Sequence, residues 1–144
     1  MSRALKVRVV NVMDLMCLQA ASIHPHGLEG DRFAELFTET KPVVFAFHGY
    51  RRAAHAIIHG RPDTERFHVR GFIDEGTTTT PFDMVVLNQM SRFHLVMEAL
   101  RRTGYPEGDP LMGWCQEMLD RQQTYTRGHF EDNAGSPRLG VDGL

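Results

Sequence analysis

The chain has 144 residues, 42% of them hydrophobic and 24% charged, and a formal net charge of −2. This length suits one domain with a real core, and the near-neutral charge argues against a basic face for nucleic acid or an anionic membrane. No apolar stretch reaches the roughly 20 residues that cross a bilayer. Because Lys6 and Arg8 interrupt the early apolar residues, we expect no signal peptide. Cys17 and Cys115 lack metal-type spacing, so we expect reduced thiols in a cytoplasmic protein.

The first part of the chain predicts a strand, a loop and a short helix. Leu5–Val12 alternates basic with β-branched residues and then becomes apolar, which is typical of a strand entering a sheet. Residues 11–18 stay apolar and fit either the exit of that strand or a short helical turn. His24–Gly27 carries the breakers of a loop. Asp31 is the expected N-cap of a short amphipathic helix with Phe33, Leu36 and Phe37 at helical spacing.

The central part predicts a strand, a helix and a second strand. Val43–Phe47 is a continuous apolar run between Pro42 and a His-Gly pair, a pattern typical of a strand buried in a parallel sheet. Residues 50–59 favour a helix that stops at the following Gly-Arg-Pro. Residues 66–73 alternate apolar with polar side chains and predict the second strand.

The clearest predicted helix follows a run of threonines. Thr80 is expected to cap it, Pro81 suits the first helical position, and Asp83 places a carboxylate near the positive end of the helix dipole. An apolar i, i+3/i+4 stripe carries this helix on to Arg101 and Arg102, which suit a helix C-terminus.

Strands that alternate with helices predict a three-layer α/β/α domain with a small, largely parallel sheet. Only three strands are clear, so a further strand is either missed or missing. Pro110 is expected to open a last helix that ends at about Tyr125. We therefore assign residues 1–127 to the α/β domain and residues 128–144 to an irregular C-terminal tail.

Two histidine pairs are candidate metal ligands. His24 and His26 lie in a loop with no second ligand pair nearby in sequence. His55 and His59 share a predicted helix face, but the glutamate of a His-Glu-x-x-His motif is replaced by Ala56. A turn and a solvated helix edge are the favoured interpretations, and no metal site is predicted.

His48 is the more interesting histidine because it ends a buried strand. Ligands of open α/β sheets gather at the carboxyl ends of strands, so His48 could be an acid, a base or a phosphate donor. It could equally fasten the turn by bonding a backbone carbonyl. Residues 77–80 resemble an anion cradle, but Asp83 would repel an anion and capping is favoured. No Ser-His-Asp order, carboxylate pair or dinucleotide fingerprint stands out, so no residue is predicted as catalytic or cofactor-binding.

Several separated phrases, in the same order, resemble the C-terminal domain of phosphoketolase. They are Leu5–Val12, His24–Leu28, Lys41–Tyr50, Phe67–Gly71 and Glu75–Met84. The chain departs from the family after Tyr50, where Arg51-Arg52-Ala53-Ala54 replaces Pro-Trp and a basic, polar run. It also starts at what looks like the family's second strand of this domain, so the first strand and helix are absent.

The resemblance implies a parent enzyme, an aldehyde-lyase that cleaves xylulose 5-phosphate or fructose 6-phosphate with phosphate to give acetyl phosphate. Its thiamine diphosphate and Mg²⁺ would be bound by two large upstream domains, and its catalytic histidines belong to motifs not found here. By similarity to the last domain of transketolase, this domain would brace a homodimer and border the active-site entrance. His48, Tyr50, His68 and Thr80 are the residues expected to face the other domains.

Two hypotheses of different classes follow. The chain is the structural and dimerisation domain of such an enzyme, inactive when isolated, or it is a free-standing, non-catalytic module that binds a protein partner or a small anion. Under both, exposed apolar surface predicts a dimer or a sticky monomer. The sequence leaves open the preferred sugar phosphate, the replacement for the missing strand, and whether the fragment is natural.

Overall fold

The computed structural model describes residues 4–73 and 81–134, and only the backbone of residues 81–83 and 125–134. The chain forms two compact units, Met1–Pro106 and Glu107–Leu144. The helices and strands of the described residues are α1 (Gly30–Phe37), β1 (Val43–Tyr50), α2 (Arg51–Ile58), β2 (Phe67–Phe72), α3 (Pro81–Leu87), α4 (Arg92–Arg102) and α5 (Pro110–Ala134). Short 3-10 helices lie at Leu15–Leu18 and Thr64–Arg66.

The two strands predicted from the central part of the chain pair in parallel, and α2 connects them. Val43 pairs with Phe67 and Ala46 with Arg70, and the register shifts between Ala46 and Tyr50. Side chains of a strand point alternately to opposite faces. Phe67 and Val69 are therefore buried on one face, while His68 and Arg70 lie on the other, where Arg70 pairs with Glu98 of α4. Helices cover both faces, which confirms the predicted small α/β domain.

The core of the first unit lies under the face of the sheet that α1 and α2 cover. It consists of Leu18, Phe33, Ala54, Ile58, Phe67 and Val69. Phe33 stacks on Phe67 with ring centroids 5.9 Å apart. Burying each large apolar side chain contributes roughly 1.5–3 kcal/mol, so this cluster is the main source of stability for the unit.

Arg61 lies at the edge of this core and is buried, with only 7% of its surface exposed. Its Nε donates to the carbonyl oxygen of Leu18 at 2.8 Å, and its guanidinium lies 4.1 Å from the ring centroid of Phe33. A buried arginine needs such partners because an unpaired buried charge is costly. Arg61 thereby ties the loop after α2 to the first 3-10 helix.

The predicted strand Leu5–Val12 is wrong, because these residues belong to no helix or strand of the described part. Val7 is 66% exposed and Val9 is 89% exposed. β-branched residues favour a strand only where a neighbouring strand and a burying surface exist. Of the two interpretations for residues 11–18, the helical turn is the one observed, at Leu15–Leu18, where the Asp14 carboxylate accepts from the N–H of Met16.

Of two predicted helix N-caps, one is wrong and the other lies outside the described residues. The N-cap of α1 is Glu29, and Asp31 lies inside the first turn, where its carboxylate suits the helix dipole. The predicted cap Thr80 lies outside the described residues, although α3 does begin at Pro81.

The long helix predicted from Pro81 to Arg102 is two helices, α3 and α4. Gln89 has a φ of 56°, and the N–H of Met90 donates to the carbonyl of Val85. This is the hydrogen bond of a Schellman-type helix end. Ser91 then caps α4 by accepting from the N–H of His94.

The last helix, α5, continues to Ala134 and so passes the predicted end near Tyr125. A single glycine such as Gly128 costs a helix about 1 kcal/mol and does not stop it. Met112, Cys115 and Leu119 are buried at helical spacing. Residues after 134 lie outside the described part, and the domain boundary after residue 127 stays a prediction.

Candidate functional site

The face of the sheet beneath α4 carries His48 and His68, two of the residues that the sequence singles out. It consists of Val44, Ala46, His48, His68, Arg70 and Phe72, and we call it the polar face. Ala46 and His48 are exposed. The rings of His48 and Phe72 pack edge to face, with their centroids 4.6 Å apart. The structure therefore brings His48 and His68 to one face, as alternation along parallel strands requires.

A buried carboxylate organises this face. Glu98 of α4 is 4% exposed, and its two carboxylate oxygens accept from Arg70 at 2.6 Å and from Arg102 at 2.8 Å. Arg70 also donates to the side chain of Gln89 at 3.0 Å. Burial acts to raise the pKa of Glu98, but the hydrogen bonds from the two guanidinium groups outweigh it and lower the pKa. The carboxylate therefore stays ionised and joins β2 to α4.

Two histidines near this network have lowered pKa values. Burial, together with the charge of Arg102, lowers the pKa of His68. Burial, together with the charge of Arg70, lowers the pKa of His94, whose Nδ1 lies 2.8 Å from the Ser91 hydroxyl. A neutral imidazole can donate one hydrogen bond and accept another, so both rings suit contacts with polar groups.

The carboxyl ends of the two strands approach each other closely. A Cβ atom on Gly71 would lie 2.6 Å from the carbonyl oxygen of Gly49, so only glycine allows this approach. The Nε of Arg51 donates to the carbonyl of Gly71 at 3.1 Å and holds the start of α2 against β2. His48 and Tyr50, which is 58% exposed, therefore sit on a fixed strand end.

Of the four residues expected to face other domains, the structure describes three. His48 and His68 lie on the polar face, and Tyr50 lies at the end of β1. Thr80 lies outside the described residues. The structure does not test the role of any of them, and their assignment stays a prediction.

The two histidine pairs have different surroundings. His26 Nδ1 lies 2.7 Å from the Asp14 carboxylate, and the His26 N–H donates to His24 Nδ1 at 3.1 Å. The N–H of Met16 and the His26 ring lower the pKa of Asp14. This local bonding is what a structured turn requires.

His55 and His59 line an open cavity of about 300 Å³ with Ile58, Thr64, Glu65 and Phe67. Within residues 4–73 and 81–134, no group of three or more His, Cys, Asp or Glu side chains is arranged to hold a metal ion.

Two polar residues at the centre of this region were not singled out from the sequence. Glu98 had a readable signal, because Arg102 follows it at i+4. Asn88 had none: its Oδ1 accepts from the N–H of Ile73 at 2.8 Å, and its Nδ2 donates to the carbonyl of Met84. It therefore joins the end of β2 to the end of α3 through a contact between distant parts of the chain.

No described helix is both long enough and apolar enough to cross a membrane. The first unit is thus a small α/β domain with one closed apolar face and one polar face that remains partly exposed.

Comparison with known proteins gives the family. The family model described as the XFP C-terminal domain matches residues 1–138. The chain is 49% identical over 130 residues to the probable phosphoketolase of Brucella abortus (strain 2308), an alignment that covers 89% of this chain and 16% of that protein. It is 47% identical over 136 residues to the probable phosphoketolase 2 of Nostoc sp., again with 89% of this chain and 16% of the relative covered.

The match to the probable phosphoketolase of Rhodopseudomonas palustris (strain BisB5) is similar, at 48% over 132 residues, with 89% of this chain and 17% of the relative covered. The chain therefore belongs to the phosphoketolase C-terminal domain family, which confirms the resemblance seen in the sequence. It spans about one sixth of the length of these relatives.

Proposed function

We propose that this chain acts as the C-terminal structural domain of a thiamine-diphosphate-dependent phosphoketolase. That enzyme would cleave xylulose 5-phosphate or fructose 6-phosphate with inorganic phosphate and release acetyl phosphate. The observation that carries the proposal is the identity of 49% over 89% of the chain to a relative of which the chain spans 16%. A segment that matches so small a share of an enzyme is a domain of it, and the chain alone is expected to be inactive.

The Mg²⁺ of such an enzyme does not fit the described residues. Mg²⁺ requires convergent oxygen ligands, and no group of three candidate ligands is arranged to hold a metal in the described part. On the polar face, the one buried carboxylate, Glu98, already accepts from two arginines. We therefore assign thiamine diphosphate and Mg²⁺ to the upstream domains and derive no chemical step on this chain.

The polar face is the surface proposed to meet those domains. His48 and Tyr50 are exposed at the carboxyl end of β1, and His68, which pairs with Val44, lies on the same face nearer the start of the two strands. Thr80 belongs to the same proposal by its position in the family's phrase. Because Glu98 fixes Arg70 and Arg102, the face is rigid before any contact forms, which reduces the entropy lost on association.

A homodimeric, cytoplasmic parent enzyme is the proposed context. Exposed apolar side chains support association, since Leu87 is 64% exposed in the first unit and Trp114 is 50% exposed in the second. Sedimentation of the purified chain should show a dimer or reversible self-association. A monodisperse monomer at high concentration would contradict this.

The test of the proposed function is reconstitution. The chain is mixed with the separately made upstream domains of the Brucella abortus relative, with thiamine diphosphate, Mg²⁺, phosphate and fructose 6-phosphate, and acetyl phosphate is assayed. Each component alone is the control. Activity that depends on the mixture supports the proposal. Silence in the mixture with the chain folded favours the second hypothesis, a non-catalytic module for a protein partner or a small anion.

A further inference from the structure

His55 and His59 lie four residues apart at the C-terminal end of α2. His55 is in the last turn, and His59 is the C-cap, whose φ of −55° and ψ of −32° keep the helical backbone. Side chains at i and i+4 share one face of a helix, with their Cβ atoms about 5–6 Å apart. The two imidazoles can therefore reach the same point in space.

Both imidazoles are accessible to a ligand. Each residue is exposed, and both line the cavity of about 300 Å³ beside α2. Within residues 4–73 and 81–134, neither ring takes part in a hydrogen bond, an ion pair or a ring contact. A ligand can therefore bind their ring nitrogens without breaking a bond of the fold.

The other histidine pair, His24 and His26, differs in this respect. His24 Nδ1 accepts from the His26 N–H at 3.1 Å, and His26 Nδ1 lies 2.7 Å from the Asp14 carboxylate. One nitrogen of each ring is therefore already used to hold the turn. This pair supplies a matched control for the pair on α2.

The surroundings of His55 and His59 favour a cation. The C-terminal end of a helix carries a partial negative charge, which stabilises a positive ion bound there. The carboxylate of Glu65 lines the same cavity and adds a further negative charge. An anion would be repelled by both, so the solvated helix edge expected from the sequence has the electrostatics of a cation site.

The ligand type decides which cation fits. Imidazole nitrogen suits Zn²⁺, Ni²⁺ and Cu²⁺, whereas Mg²⁺ and Ca²⁺ take oxygen ligands. A Zn²⁺ ion would take one nitrogen from each ring at roughly 2.0–2.1 Å, with water in its remaining positions. Two protein ligands are enough for such an ion, although no group of three is arranged to hold a metal in the described part of the chain.

We propose that His55 and His59 together bind one divalent transition-metal ion. The ion bridges the last turn of α2 and its C-cap, just before the buried Arg61. The inference goes beyond the proposed function and does not depend on it, because the Mg²⁺ of the parent enzyme is assigned to other domains.

Calorimetric titration of the purified chain with ZnCl₂ tests the proposal. We expect one Zn²⁺ to bind per chain. His55→Ala and His59→Ala should each weaken binding by at least about tenfold, because even changes to groups around the ligands of a metal cost this much. The control with both His24→Ala and His26→Ala should bind Zn²⁺ as the wild type does, and MgCl₂ should give no heat of binding.

Thermal unfolding and pH separate loss of the site from loss of the fold. Without Zn²⁺, the two single variants should keep the thermal midpoint of the wild type, since both side chains are exposed. Zn²⁺ should raise the midpoint of the wild type but of neither variant, because a ligand that binds the folded state stabilises it. Acidification from about pH 7.5 to about pH 5.5 should weaken binding, since a protonated imidazole does not bind metal.

Three results would overturn the proposal. They are a wild-type chain that binds no Zn²⁺, an unchanged affinity in His55→Ala or in His59→Ala, and an equal loss of affinity in the control without His24 and His26.

Discussion

The two faces of the sheet arise from the same alternation of side chains but are stabilised in different ways. On the apolar face, Phe67 and Val69 are closed off by α1, α2 and the first 3-10 helix. On the polar face, Arg70 is joined to α4 by a buried carboxylate, and the neighbouring β1 residues stay exposed. The apolar face thus completes the fold of the first unit, and the proposed contacts with other domains lie on the polar face.

The largest expected effect is the loss of stability when the ionic network of the polar face is broken. Glu98→Ala leaves Arg70 without its carboxylate partner at a partly buried site, and breaking a buried pair from one side costs about 3–5 kcal/mol. Denaturant unfolding measures the change. The matched control is Glu117→Ala, which removes an exposed i, i+4 pair with Arg121 and should cost about 0.3–0.5 kcal/mol. Equal costs for the two variants would show that the network on the polar face is no more than a surface feature.

The next effect probes the apolar face. Ile58 is 1% exposed, and Ile58→Ala should lower the free energy of unfolding by about 2–5 kcal/mol through lost burial and a residual cavity. Ile23→Ala is the control, since Ile23 is 60% exposed and should change stability by less than about 0.5 kcal/mol. A small loss at Ile58 would mean that the core beneath the sheet is loosely packed.

A smaller effect concerns the break between α3 and α4. Ser91→Ala removes the side-chain cap of α4 and should cost about 1 kcal/mol, with Ser91→Gly costing less. Because α4 carries Glu98, fraying at Ser91 should also weaken the attachment of α4 to the polar face. Urea midpoints measure the cost, and an unchanged midpoint in the alanine variant would contradict the capping role.

The pH dependence of stability should come mainly from the polar face. The pKa values of His68 and His94 are lowered in the folded protein, so the unfolded chain binds more protons as the pH falls through about 6.5. Stability is therefore full above that pH and decreases below it. Urea midpoints between about pH 7.5 and pH 5.5 test this, and the variant with both histidines changed to Gln should show a flatter profile. Stability that rises on acidification would contradict the expected sign.

The strands and the helix between them could be predicted from local sequence, since Val43–Phe47 is a continuous apolar run and residues 66–73 alternate. The strand at Leu5–Val12 could not be judged this way, because a strand depends on a neighbour that local sequence does not contain. The end of α3 at Gln89 was missed, although Ser91 carried the signal of a new N-cap. Of the site, His48 was found from its place at a strand end, but the contact of Arg70 with Glu98 joins distant parts of the chain and has no local pattern.

We propose that the polar face contacts the upstream domains and takes no part in the chemistry. This proposal is tested most directly by titrating the upstream domains of the Brucella abortus relative with the wild-type chain and with His48→Ala, and recording acetyl phosphate formation. We expect both titrations to reach the same plateau, with a higher half-saturating concentration for His48→Ala. A plateau that falls well below the wild-type value, at unchanged half-saturation, would contradict the claim and assign His48 a role in catalysis.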